Sequence, residues 1–192
     1  MKKFNTKVLA YAGVLIAMNV ILVRLVAINI GPTLRITVGS VPIILGSFWF
    51  GPVIGGICGG VGDLIGSILS GYAPNPLILC SSVLTGVLPW FFRKFVLKGI
   101  SSKSNKMEMY GNGLVRMMLV LGVMHLVTSQ GITTYGLSLM YGTDFWPLFL
   151  TRLPQSIFLT IVNGVLLILL YASPVTAFVT NSIKQKTPVT TN

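Results

Sequence analysis

Between Arg35 and Arg93 the chain carries one charged side chain, Asp63, and from Leu153 to Ile183 it carries none. Uncharged runs of that length exceed the roughly 20 residues needed to cross the hydrocarbon of a bilayer. A soluble surface cannot be assembled from them. Charged residues make up 9% of the chain, against about 25% in soluble domains, and the mean hydropathy is +0.85. The fold class read from this is an all-α membrane protein.

The net charge of +11 over 192 residues would suggest nucleic acid in a soluble protein, but the placement of the charge decides otherwise. The nine lysines fall into three patches: Lys2, Lys3 and Lys7; Lys94, Lys98, Lys103 and Lys106; Lys184 and Lys186. Basic residues flanking spans mark the cytoplasmic side, so both termini and the central linker are expected inside. No basic stripe with interleaved aromatics is present, so nucleic acid is not an expected partner. The basic start followed by an apolar run resembles a secretory signal. The run is long for one, however, Arg24 follows it, and no small-x-small cleavage site is convincing. Cys58 and Cys80 lie inside apolar segments, which implies neither a disulfide framework nor a metal site.

Three patches on one side require an even number of crossings between consecutive patches. One span over about 6–28 and another over 76–98 force the stretch between them to cross twice, as short helices over 37–50 and 52–70. The break falls at Phe50-Gly51-Pro52, where Gly permits a turn and Pro suits a helix start. The second half has room for helices over 108–136 and 145–171. The expectation is therefore one six-helix transmembrane domain over 1–183 with both termini cytoplasmic, followed by a flexible tail at 184–192. Neither strand alternation nor an internal repeat is evident.

An ionisable residue inside a span is costly and is by default a functional candidate. Arg24 follows Lys7 by 17 residues, which at about 1.5 Å per residue puts it near the outer face. Arg35 lies in the first outer loop or at the entry to the second helix. For both, a snorkelling anchor is the alternative role. Arg152 begins a stripe with Gln155, Ser156 and Asn163 on one helix face. Asp63, with Ser67 one turn further out, either pairs with an arginine or grips a ligand offering adjacent N–H donors. His125 shares a face with Thr128 and Ser129 and either lines the same cavity or is a satisfied core residue. Gly55, Gly59, Gly62 and Gly66 let neighbouring backbones approach in lipid. Gly13 and Ala17, four apart, suit either internal packing or docking of another membrane protein. No phosphate-binding G-x-x-x-x-G-K-[ST] loop, zinc-protease signature or nucleophile with an oriented base is present. The chain is therefore not expected to be an enzyme or to hold a metal or cofactor.

Several segments, in order, resemble the substrate-binding S components of energy-coupling-factor (ECF) vitamin transporters, most closely the folate-specific type. They are Arg35-Ile36 with Gly39 and Pro42-Ile43; Phe50-Gly51-Pro52; Gly62-Asp63-Leu64-Ile65-Gly66; Leu137-Ser138-Leu139-Met140-Tyr141-Gly142 with Phe145-Trp146; and Arg152-Leu153 with Gln155. The resemblance implies a multi-pass bundle in the bacterial cell membrane, with a vitamin site near the outer face closed by the first, third and fifth loops. It implies that Gly13 and Ala17 match the family's A-x-x-x-A motif for docking a transmembrane coupling protein, which bridges to two ATPase subunits. It also implies toppling within the membrane to release the vitamin inside. Folate suits the residues: its anionic tail wants a bidentate cation such as Arg24, Arg35 or Arg152, and its pterin offers N–H groups that Asp63 can accept. Tyr72, Asn75 and Trp146 are lid candidates. The alternatives are another vitamin or precursor (pantothenate, a queuosine precursor), or a stand-alone proton-coupled carrier relaying charge through Asp63 and His125.

Overall fold

The computed structural model describes residues 6–30, 34–71, 73–100 and 106–184. Helix α1, Thr6–Arg24, is followed by a two-stranded antiparallel hairpin, β1 Ile28–Ile30 and β2 Leu34–Ile36, with Asn29 opposite Arg35. The sequence pattern carries the first helix to 28 and shows no strand. The correction is physical: three-residue strands are too short to display a period of two, and Gly31-Pro32 between them cannot continue a helix.

Helix α2, Ser40–Phe50, is only 11 residues long, about 16 Å at 1.5 Å per residue. It is shorter than the hydrocarbon is thick. Val41 through Phe48 are all buried, so the bundle encloses this helix. Gly51 turns the chain with φ of 100°, a conformation that favours glycine, and Pro52 opens α3, Pro52–Leu69. Helix α4 is Pro76–Ile100. Next come α5, Lys106–His125, a π-helical segment, Leu126–Thr133, and α6, Thr134–Tyr141, in one continuous rod. Helix α7, Phe145–Ala172, ends at Ser173, which is extended before Pro174. The chain resumes as α8, Pro174–Lys184, beyond the last helix expected from the sequence, which ends at 171. Five of these segments are long and apolar enough to cross a membrane, and α2 is a shorter apolar helix beside them.

Two apolar clusters hold the bundle. One joins α2, α5 and α7 through Phe48, Met117, Leu121, Met124 and Leu167; the other joins α1 and α3 through Ala12, Leu15, Ile54 and Cys58. Cys80, in contrast to Cys58, is exposed. The closest helix pair is α3 with α4: a Cβ on Gly55 or Gly59 would collide with backbone at Gly86 or Ser82. At one end of the bundle Lys7 donates to the Ser182 carbonyl at 3.2 Å, and Tyr11 stacks on Phe50 with centroids 6.1 Å apart. That termini end is opposite the hairpin end, where α1, α3 and α6 finish.

Candidate functional site

The polar residues of α1 and α3 converge at the hairpin end. Arg24, in the last turn of α1, donates to Ser70 Oγ and lies over Gly66, whose missing side chain makes the room: a Cβ there would sit 3.0 Å from Nη2. One turn earlier, Asn19 is buried, donates to the Gly39 carbonyl at 2.7 Å and rests against Gly62. Four of the six glycines of α3 therefore divide their work. Gly55 and Gly59 admit a helix, while Gly62 and Gly66 admit the two polar side chains of α1.

The hairpin is pinned from both sides. Arg35 donates to the Val23 carbonyl, and Gln155 of α7 donates to the carbonyl of Arg35. Thr37 adds a bond to the Leu22 carbonyl at 3.2 Å. Asp63 is half-buried on α3, facing Ser82 of α4, with Arg24 and Arg35 in electrostatic range. Its Oδ2 is buried and has no hydrogen-bond partner among the described residues. Ser67 lies one turn further toward the hairpin end and is half-buried.

A second polar set lies between the α5–α6 rod and α7. Arg152 is 6% exposed; Nη1 donates to Thr134 Oγ1 at 3.3 Å, and Nε is buried without a partner. Among the described residues no carboxylate pairs with this guanidinium. Gln130 and Asn163 are each 1% exposed, and both atoms of both amides are unpaired. His125, 6% exposed, leaves Nδ1 unpaired. The π-helical segment contributes Gln130 to this set and directly precedes Thr134. Widening the helix by one residue per turn frees carbonyls and re-aims side chains, an arrangement frequent at functional sites. Ser81 bonds the Thr128 carbonyl at 2.9 Å and Thr134 bonds that of Ser129 at 3.2 Å, which satisfies the freed backbone.

The remaining sequence candidates fall elsewhere. Asn75 Oδ1 accepts from the Leu77 amide at 2.9 Å, capping α4, and Nδ2 donates to the Gly136 carbonyl at 3.2 Å. Trp146 is 70% exposed and packs edge-on against Phe145. Tyr72 lies outside the described residues. His125 and Asp63 share no hydrogen bond in the described structure. Gly13 and Ala17 face outward, and a Cβ on Gly13 meets nothing within 4 Å, so they take no part in internal packing. Gln130 and Thr134 lie off the helix face that His125 shares with Thr128 and Ser129, so the sequence pattern does not group them with it; an amide inside a span is the signal for the first. No group of three His, Cys, Asp or Glu side chains gathers among the described residues to hold a metal.

Residues 3–175 match the family model for the S component of an ECF-type riboflavin transporter. The chain is 25% identical over 170 residues to the folate transporter FolT of Clostridium novyi (strain NT), covering 87% of this chain and 88% of that one. Among solved structures, it is similar to FolT bound with folic acid, with a TM-score of 0.66 and 24% identity over 96% of this chain and 98% of that one. It is also similar to the S component of a bacterial ECF transporter, with a TM-score of 0.58 and 22% identity over 94% of this chain and 99% of that one.

Proposed function

Because the chain belongs to the family of S components of ECF-type transporters, substrate-binding transport subunits of the cell membrane and not enzymes, we propose that it captures folate at the outer face and delivers it inward. In this reading the hairpin end faces out, the termini end faces the cytoplasm, and α2 completes six passes. A transmembrane coupling protein docks on Gly13 and Ala17, and two ATPase subunits supply the energy.

The observation that carries the substrate reading is Arg152. A cation buried with one long hydrogen bond and no carboxylate among the described residues is expensive unless something anionic arrives. A ligand carboxylate answers that need, and a fork of parallel N–H donors suits it. Deeper than Arg152 the unpaired groups are neutral: Gln130, His125 and Asn163. Such groups suit a flat heterocycle rich in donors and acceptors. The gradient from charged at the mouth to neutral below matches folate entering ring first, with its glutamate held by Arg152, Arg24 and Arg35 and the Asp63 carboxylate beside them. The folate-transporting relative and the folate-bound neighbour support the same ligand.

Riboflavin is the second reading, favoured by the description of the matching family model. It carries no carboxylate and leaves Arg152 uncompensated. Tryptophan fluorescence of the purified chain titrated with each compound separates the two. Folate is expected to quench at far lower concentration than riboflavin, and an ultraviolet band of folate is expected to co-purify. Tighter riboflavin binding, with a yellow preparation, would transfer the assignment.

A further inference from the structure

A groove of about 490 Å³ runs between α3 and α4, floored by Pro52, Gly56, Gly60 and Leu64 and walled by Val83 and Val87. The floor residues recur every four positions, so they form one straight row along α3. Gly56 and Gly60 are not the glycines that let α4 approach; Gly55 and Gly59 do that. A Cβ on Gly56 would lie 3.0 Å from Val87 and one on Gly60 3.0 Å from Val83. These two glycines keep the floor of the groove clear. The exposed Val53, Ile57 and Val61 form its outer lip, so it opens to the surroundings. From Pro52 to Leu64 the row is about 18 Å long at 1.5 Å per residue, close to the roughly 15 Å depth of one leaflet's hydrocarbon.

The groove leads to a basic end. Seven residues beyond Val87, Lys94 is exposed on α4. Beside it the Arg93 guanidinium lies 5.1 Å from the centre of the Trp90 ring, and its Nε is buried without a partner among the described residues. From α5, Arg116 reaches across, donating to the Phe95 carbonyl at 3.2 Å. An aromatic ring at the headgroup level with cations just beyond it is the arrangement that receives an anionic lipid. The geometry points to a resident anionic phospholipid in the leaflet at the termini end, one acyl chain lying in the Gly56–Gly60 groove and its phosphate between Arg93 and Lys94. An apolar channel left empty against hydrocarbon forfeits the dispersion contacts of its walls, and a lipid tail restores them. The charge at the end of the channel selects the headgroup. This inference stands apart from the identity of the transported solute.

Native mass spectrometry of the full chain, purified with equal amounts of phosphatidylglycerol and phosphatidylcholine, tests it. The wild-type chain is expected to retain one phosphatidylglycerol, preferred about fivefold or more per cation engaged. Gly60→Leu, which fills the floor, is expected to lose bound lipid of both kinds. Arg93→Gln with Lys94→Gln is expected to keep the occupancy and lose the preference. Equal retention of the two lipids by the wild-type chain would overturn the proposal, as would undiminished lipid on Gly60→Leu. A reading in vesicles does not depend on detergent or on how well Gly60→Leu folds. With Trp49→Phe and Trp146→Phe leaving Trp90 alone, brominated phosphatidylglycerol is expected to quench more strongly than brominated phosphatidylcholine at the same mole fraction; equal quenching counts against the site. Loss of the retained lipid on assembly with a coupling protein would assign the groove to that partner instead and overturn the proposal.

Discussion

Under the proposed function, Arg152 stabilises the loaded protein at the expense of the empty one. Its guanidinium is buried, hydrogen-bonded once to Thr134 and unpaired at Nε, and exchanging a buried ion for a well-packed apolar side chain is often neutral or stabilising, by about 1–4 kcal/mol. Arg152→Met is therefore expected to raise the melting temperature of ligand-free protein while weakening folate by about 10- to 150-fold, the worth of a charged hydrogen bond. A simple pterin without the glutamate tail is expected to lose far less. Equal losses for folate and the pterin in calorimetric titration would remove the carboxylate role. Charged groups were the most legible part of this site in the sequence, because a charge in hydrocarbon is conspicuous by its cost. Asn19 and Gln130 were not: a neutral amide is cheaper, and whether it faces lipid, a neighbour or a cavity depends on helix rotation that spacing alone does not fix. Asn75 was legible as a residue of an outer loop, but not its contacts: its side chain caps α4 and ties it to α6, which depends on a partner distant in sequence.

At the scale of elements, the π-helical segment Leu126–Thr133 sets what α6 presents to α7. One surplus residue turns everything after it by about 100° relative to a regular helix. Deleting Ile132 is expected to restore the regular helix, swing Thr134 away from Arg152 and reduce ligand binding more than tenfold. Far-ultraviolet circular dichroism is expected to stay nearly unchanged. Full binding by the deletion variant would show that the segment does not position the site. The long apolar helices were readable from composition, because length and hydropathy are properties of a stretch. The π-helical segment and the hairpin were not, because each depends on partners: Ser81 to satisfy freed carbonyls, and Val23 and Gln155 to hold Arg35. The α3–α4 contact makes the matching stability prediction. Gly55→Ala places a methyl against the Gly86 backbone, which cannot move aside as a side chain would, and is expected to cost about 1–3 kcal/mol. Gly13→Ala meets nothing within 4 Å and is expected to leave the melting temperature unchanged or slightly higher.

The whole molecule is two-ended. The hairpin end gathers Arg24, Arg35 and Asp63, and the termini end gathers Lys7, Arg93, Lys94 and Arg116. The two arginines of the hairpin end donate to Ser70 and to the Val23 carbonyl, which fixes where both guanidiniums sit. The lysines of the three sequence patches include no residue from it. Lysines on one side only are what the positive-inside rule sorts on, and this makes the orientation testable independently of any ligand. In a chain with Cys58 and Cys80 replaced by serine, a cysteine at Thr143→Cys is expected to react with a membrane-impermeant maleimide added to intact cells, and one at Ser104→Cys only after the cells are opened. If the central linker proved reachable from outside, Arg152 would lie below the cytoplasmic face and could not receive a solute from the medium. In that case outward capture would have to be abandoned even if folate still bound.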